Sequence, residues 1–148
     1  MPHKQRSPQY THSFIDSCAF NPGGLEEAAS RRIMDKNPNI IVAHSVQKEV
    51  EHPNTPEDIK RLAKAFIYTI ESELTPDELA KRSEIRTLMQ GNANPGRHQE
   101  DADHLFELYK YGGGYFITTD DRILGLSKQL FDNYFITALK PSEYEALL

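Results

Sequence analysis

Asp16, Glu49, Asp101 and Asp120 are the acidic residues that this sequence ties to the ends of apolar runs or to the helical turns beside them. Carboxylates gathered in one place repel unless a divalent cation or raised pKa values relieve them. The set offers only oxygen donors, and the chain has neither a His-x-His nor a Cys-x-x-Cys pair, so Mg²⁺ or Mn²⁺ suits it better than zinc. Mg²⁺ keeps several of its waters, which leaves one to attack a phosphodiester. The chemistry expected of such a site is in-line hydrolysis. The cation stabilises charge on the phosphoryl oxygens, and one carboxylate orients or deprotonates the water. Asp121 is expected to cap the following helix or to serve as an auxiliary ligand. Arg97 and Arg122 flank the acids and suit phosphate oxygens, although solvated charge explains them equally well.

The elements that must position these residues can be traced along the chain. Ser13 to Asp16 is a largely apolar run ending in a carboxylate, and the breakers Asn21, Pro22, Gly23 and Gly24 follow it. It predicts a buried strand with Asp16 at its C-terminal end. A helix from Leu25 to Lys36 is stopped by Asn37, Pro38 and Asn39, and a second strand, Ile40 to Ala43, follows. Ser45 then caps a short helix with Glu49 in its first turns. Thr55 and Pro56 open a helix on which Ile59, Leu62, Ala63, Phe66, Ile67 and Ile70 recur at helical spacing. Thr75, Pro76 and Glu78 open another that runs to about Met89.

The next expected helix, Gln99 to Lys110, carries Asp101 in its first turn, and Gly112 to Gly114 end it. A third strand, Tyr115 to Thr118, leads to Asp120 and Asp121. A helix over Arg122 to Phe131, a fourth strand over Tyr134 to Ala138 and a helix from Ser142 complete the chain. Continuous apolar strands alternating with helices predict an α/β fold of three layers, its parallel sheet of about four strands covered on both faces. Ligands of such sheets bind beyond the C-terminal strand ends, near the point where strand order reverses. The acids fall there.

The bulk numbers agree with one domain and narrow its partners. A chain of 148 residues has no room for two ordinary cores. With 17 Lys and Arg against 22 Asp and Glu, the net charge of −5 argues against a surface that is basic all over. The single cysteine, Cys18, excludes an intrachain disulfide and fits a reducing compartment, so a cytoplasmic location is expected. The longest apolar runs fall far short of the roughly 20 residues that span a bilayer. Met1 to Tyr10 lacks the apolar centre of a secretory signal, and residues 1–12 are expected as a flexible lead-in.

Three stretches resemble the PIN-domain ribonucleases. Phe14-Ile15-Asp16-Ser17 looks like their opening strand, and Ser45-Val46-Gln47-Lys48-Glu49-Val50 like their serine-to-glutamate segment. Asp101-Ala102-Asp103-His104-Leu105, followed by Tyr115-Phe116-Ile117-Thr118-Thr119-Asp120, is similar to the family's aspartate helix leading into a Thr-x-Asp strand end. The resemblance spans about Ser13 to Ala138. It implies an acidic quartet of Asp16, Glu49, Asp101 and Asp120, with Ser17 and Thr118 as polar supports, and strands ordered 2-1-3-4. It also implies an endonuclease acting on RNA, in many small members a toxin held by an antitoxin, and suggests pairing into a homodimer as a further expectation. The chain departs from the pattern at Cys18, where asparagine is common, and in a long helical insert over residues 55–90 that offers a partner surface. Asp103 competes with Asp101, and the spacing to Thr118 and to His104 favours Asp101.

Other readings stand beside this one. The fold could serve as a non-catalytic RNA-binding or scaffolding domain, or hydrolyse DNA or small phosphate esters instead. His44, His52, His98 and His104 lack metal-ligand spacing and are expected as surface or packing residues. Tyr109, Tyr111 and Tyr115 could stack bases, although their spacing fits mixed packing better. No Gly-rich Walker segment is present, which argues against an ATP-hydrolysing switch.

Overall fold

A computed structural model describes residues 5–19, 24–36, 40–42, 53, 57, 67–69, 72–94 and 98–148. Its strands are β1 (His12–Ile15), β2 (Ile41–Val42), β3 (Ile67–Tyr68), β4 (Gly114–Ile117) and β5 (Ile136–Leu139). Its α-helices are α1 (Gly24–Lys36), α2 (Pro76–Gln90), α3 (Gln99–Lys110), α4 (Asp121–Gly125), α5 (Ser127–Tyr134) and α6 (Pro141–Glu145). The central strands are short and buried along nearly their whole length, as a sheet covered on both faces requires.

All pairings are parallel, in the order β3-β2-β1-β4-β5. Phe14 pairs with Ile41, while His12 to Ile15 run in register with Gly114 to Ile117. The chain leaves β1 toward β2 and β3 and returns on the other side as β4. The reversal of strand order therefore lies between β1 and β4, which makes their C-terminal ends the crevice of this sheet.

Alternate side chains reach opposite layers. Ser13 and Tyr115 face α6, where the Tyr144 hydroxyl donates to Ser13 Oγ at 2.8 Å and the Tyr115 and Tyr144 rings meet at 5.7 Å. The α6 helix also holds α1, through a forked Arg32–Glu145 ion pair and through Ser142 against Glu26. On the other face Phe14 meets Tyr111, just beyond α3. There α2 and α3 pack together and bury Ile85, Met89, Leu105 and Leu108. Thr75 and Glu78 form the reciprocal cap that starts α2.

The expected fold class and the expected neighbours of the first strand are both present, with one strand added. Helical spacing placed Ile67 and Ile70 on one helix, whereas Ile67–Tyr68 is an edge strand paired with Ile41–Val42. Phe66 to Ile70 is β-branched and aromatic, and a short apolar run of that kind satisfies both periods. The insert over residues 55–90 is thus interrupted by the sheet. The expected helix over Arg122 to Phe131 divides at Leu126 into α4 and α5.

The described part of the lead-in is docked on the sheet. Gln5 Nε2 donates to the carbonyls of Gly114 and Phe135, and the Tyr115 hydroxyl donates to the Arg6 carbonyl. Pro8 is buried at the start of a 3-10 turn, Pro8–Tyr10. Among the described residues no helix is long and apolar enough to cross a membrane.

Candidate functional site

Asp16 leaves β1 at the switch point. Its backbone N–H donates to the Ile117 carbonyl at 2.9 Å, one step beyond the strand, and its side chain is almost wholly buried. A buried carboxylate needs donors, and three neighbours surround it. Thr118 Oγ1 donates to Asp16 Oδ2 at 3.1 Å, and Cys18 Sγ lies 3.4 Å from the same oxygen. His104 Nδ1 approaches Asp16 Oδ1 at 3.5 Å. Burial alone pushes the Asp16 carboxyl up, but His104, Cys18 and Thr118 together outweigh it and hold it below the ordinary aspartate value.

Thr118 follows β4 as Asp16 follows β1, and its hydroxyl joins two acids. While donating to Asp16 it accepts the backbone N–H of Asp120 at 3.1 Å. Asp120 in turn caps α4, with Oδ1 accepting the Arg122 N–H at 2.8 Å. The cap is therefore Asp120, where the sequence pointed to Asp121, which lies exposed in the first turn of α4. A strand that ends one residue earlier than expected moves the capping position back with it.

Asp101 comes from the other layer, in the first turn of α3, where the positive end of a helix favours an acid. His104, one turn further on, is carried inward by the buried stripe of Ala102, Leu105, Phe106 and Leu108. Asp101 Oδ2 lies 3.7 Å from His98 Nδ1. Burial raises the Asp101 carboxyl first, and the charges of Asp16 and Asp120 raise it further, against weaker opposition from His104 and His98. Asp101 thus lies within reach of the charges of Asp16 and Asp120.

The remaining candidates stand elsewhere. Asp103 is gripped by Arg86 in a forked pair at 2.8 and 2.9 Å, which joins α2 to α3. Ser17 opens the 3-10 turn Ser17–Ala19. Glu49 and Arg97 lie outside the described residues. Arg122 turns toward the end of α2, where its guanidinium donates to the carbonyls of Met89 and Gln90. Carbonyls at a helix C-terminus are left without intrahelical donors, so this contact is structural. Arg122→Ala is expected to lower stability by about 1–3 kcal/mol in urea unfolding, with Arg122→Lys recovering only part because an ammonium cannot fork. A raised KM for RNA at unchanged stability would instead assign Arg122 to phosphate.

Two members of this cluster escaped the sequence reading. His104 was expected as a surface or packing residue; it is 1% exposed and so packs, but the sequence did not show that it faces Asp16. Its place on the apolar stripe of α3, three residues after Asp101, was the available signal. Cys18, two residues past Asp16, turns its Sγ inward to Asp16 and Thr118 although the residue as a whole is exposed. Burial of the sulfur and the Asp16 charge push the thiol up, which keeps it protonated at neutral pH.

The donors fit a hard cation in kind, since Asp16, Asp101 and Asp120 offer carboxylate oxygens at one sheet edge. Among the described residues no group of three or more His, Cys, Asp or Glu side chains is placed so that it could hold a metal ion. No family model, curated protein or solved structure matches the chain.

Proposed function

We propose that the chain is a Mg²⁺- or Mn²⁺-dependent endoribonuclease whose site lies between the C-terminal ends of β1 and β4. The observation that supports this reading is the placement of Asp16 just after β1 and Asp120 just after β4 at the switch point, with Asp101 in the first turn of α3 near enough for their charges to raise its carboxyl. Crowded, partly desolvated carboxylates are costly to keep charged, and a divalent cation is the simplest species that makes the arrangement favourable.

Each side chain has a role in this reading. Thr118, Cys18 and His104 fix Asp16 as the central ligand, while Asp101 and Asp120 approach from α3 and from the start of α4. Glu49 belongs to the proposed set through the sequence resemblance. The bound cation would supply charge stabilisation at the scissile phosphate. One carboxylate would orient or deprotonate the attacking water. Restraint by an antitoxin, or pairing with a second copy, belongs to the same proposal, as does a cytoplasmic location.

The choice between the acids on α3 supplies the test. Mn²⁺ is expected to raise the thermal midpoint of the protein, because a ligand that binds only the folded state stabilises it. Asp101→Asn is expected to abolish both that rise and RNA cleavage. Asp103→Asn weakens a partly buried, forked ion pair at a cost of about 1–3 kcal/mol in stability and should keep both. Equal behaviour of the two variants would remove Asp101 from the site.

One observation favours a second reading, a non-catalytic RNA-binding or scaffolding domain. Both oxygens of Asp16 already face protein partners from β4 and α3, which suits a purely structural knot. Such a domain would show no Mn²⁺-dependent cleavage of any substrate. RNA, DNA and a generic phosphate ester offered side by side separate the ribonuclease from a hydrolase of the other two.

A further inference from the structure

The sheet has a cleft at the edge opposite Asp16, where β1, β4 and β5 begin. It encloses about 480 Å³, with Arg6, Tyr10, His12, Tyr111, Gly112 and Phe135 among its walls. Small-molecule sites fall in a range of roughly 300–1,000 Å³. The length of a four-residue strand, roughly 13 Å, separates it from the acidic edge.

Its chemistry differs from that of the acidic edge in three respects. Aromatic faces are on offer: Tyr111 is 39% exposed although its ring rests on His12 at 5.6 Å and on Phe14 at 5.9 Å, and Tyr10 is 70% exposed. No described residue that lines it is acidic, in a chain with 22 acids against 17 bases, and Arg6 supplies a cation. The adjoining cleft beside Lys110, by contrast, carries Glu78 and Asp132. Finally, the floor is open, since a Cβ added at Gly112 would meet no atom within 4 Å.

The segment that brings Arg6 and Tyr10 is fixed in place. Gln5 holds the Gly114 and Phe135 carbonyls, and the Arg6 carbonyl accepts from Tyr115 at 2.6 Å. A planar, apolar-faced group bearing a negative charge matches an exposed phenol ring beside an arginine. Nucleotides combine these properties, because every base has a π face and guanidinium groups pair with phosphate. We propose that this cleft binds a nucleotide, with its base on Tyr111 and its phosphate on Arg6.

The test uses the full chain, labelled with ¹⁵N and kept in EDTA, titrated with adenosine and uridine 5′-monophosphates. Amide shifts should concentrate at Gly112 and Gly113 and leave Asp101 and Asp120 unmoved. Arg6 and Tyr10 are exposed, so Arg6→Ala combined with Tyr10→Ala should weaken binding at least tenfold without lowering the thermal midpoint. Asp16→Asn should leave nucleotide binding unchanged. The proposal is overturned if millimolar nucleotide moves neither glycine, or if inorganic phosphate alone reproduces the same shifts. EDTA silences any cation site, so the outcome here and the outcome for cleavage can fail separately.

Discussion

Asp16→Asn is expected to lower Mn²⁺-dependent RNA cleavage by roughly a thousandfold, the scale of losing a central electrostatic group from a hydrolytic site. The substitution keeps the shape of the side chain and removes its charge. An amide also carries two donors, and at this position Thr118 and Cys18 already direct donors at Oδ2 while His104 stands at Oδ1. Mismatched buried hydrogen bonding costs about 1–3 kcal/mol, so a modest drop in the urea midpoint should accompany the loss of activity. Thr118→Val supplies the comparison. It removes one donor to Asp16 and the acceptor of the Asp120 N–H, so it should loosen the same cluster while leaving the charge. A ribonuclease therefore loses far more cleavage in Asp16→Asn than in Thr118→Val at similar stability. Cleavage that survives Asp16→Asn would end the proposal for this edge of the sheet.

Much of the fold was legible because buried parallel strands and capped helices announce themselves locally. The Phe14-Ile15 and Phe116-Ile117 runs have no polar alternation, and Thr75 with Glu78 spells out its own cap. Neither signal depends on distant contacts. Ile67–Tyr68 was missed because a two-residue edge strand is decided by its neighbour, and the Thr69 N–H to Val42 carbonyl bond that continues the pairing is invisible in a single sequence. The acids Asp16, Asp101 and Asp120 could be singled out because each sits at a strand end or in a first helical turn. Their partners could not. Whether His104 faces solvent or a carboxylate depends on how α3 is rotated over β1, and that rotation is fixed by packing against α2 and the sheet. Asp103, two positions from Asp101, points to Arg86 for the same reason.

The largest structural effect is expected at the other end of these strands, from Gly114→Ala. Gly114 begins β4 at φ +140°, a conformation that side chains rarely adopt, and it pairs with His12 of β1. A Cβ there would lie 2.2 Å from the His12 carbonyl oxygen, a backbone atom that no side-chain rotation can clear. The other side is closed too, because the Gly114 N–H donates to the Phe135 carbonyl at 3.0 Å and its own carbonyl accepts from Gln5. Relief would require β1 and β4 to part at the start of their shared register. The expected loss exceeds about 3 kcal/mol, in the range of severe overpacking together with forced backbone strain. For a domain of this size that corresponds to roughly 6–12 °C in thermal midpoint.

Gly112→Ala is the internal control. Its φ of +97° is equally unsuited to a side chain, but nothing stands within 4 Å of the added Cβ, so only backbone strain of about 1–2 kcal/mol remains. The difference between the two variants isolates the β1–β4 clash from the cost of conformation. The same pairing carries Asp16 and Thr118 four residues further along, so Gly114→Ala should also reduce whatever chemistry the acidic edge performs, whereas Gly112→Ala should not. Equal midpoints for the two alanine variants would mean that His12 and Gly114 are not neighbours, and the crevice between β1 and β4 would have to be drawn again.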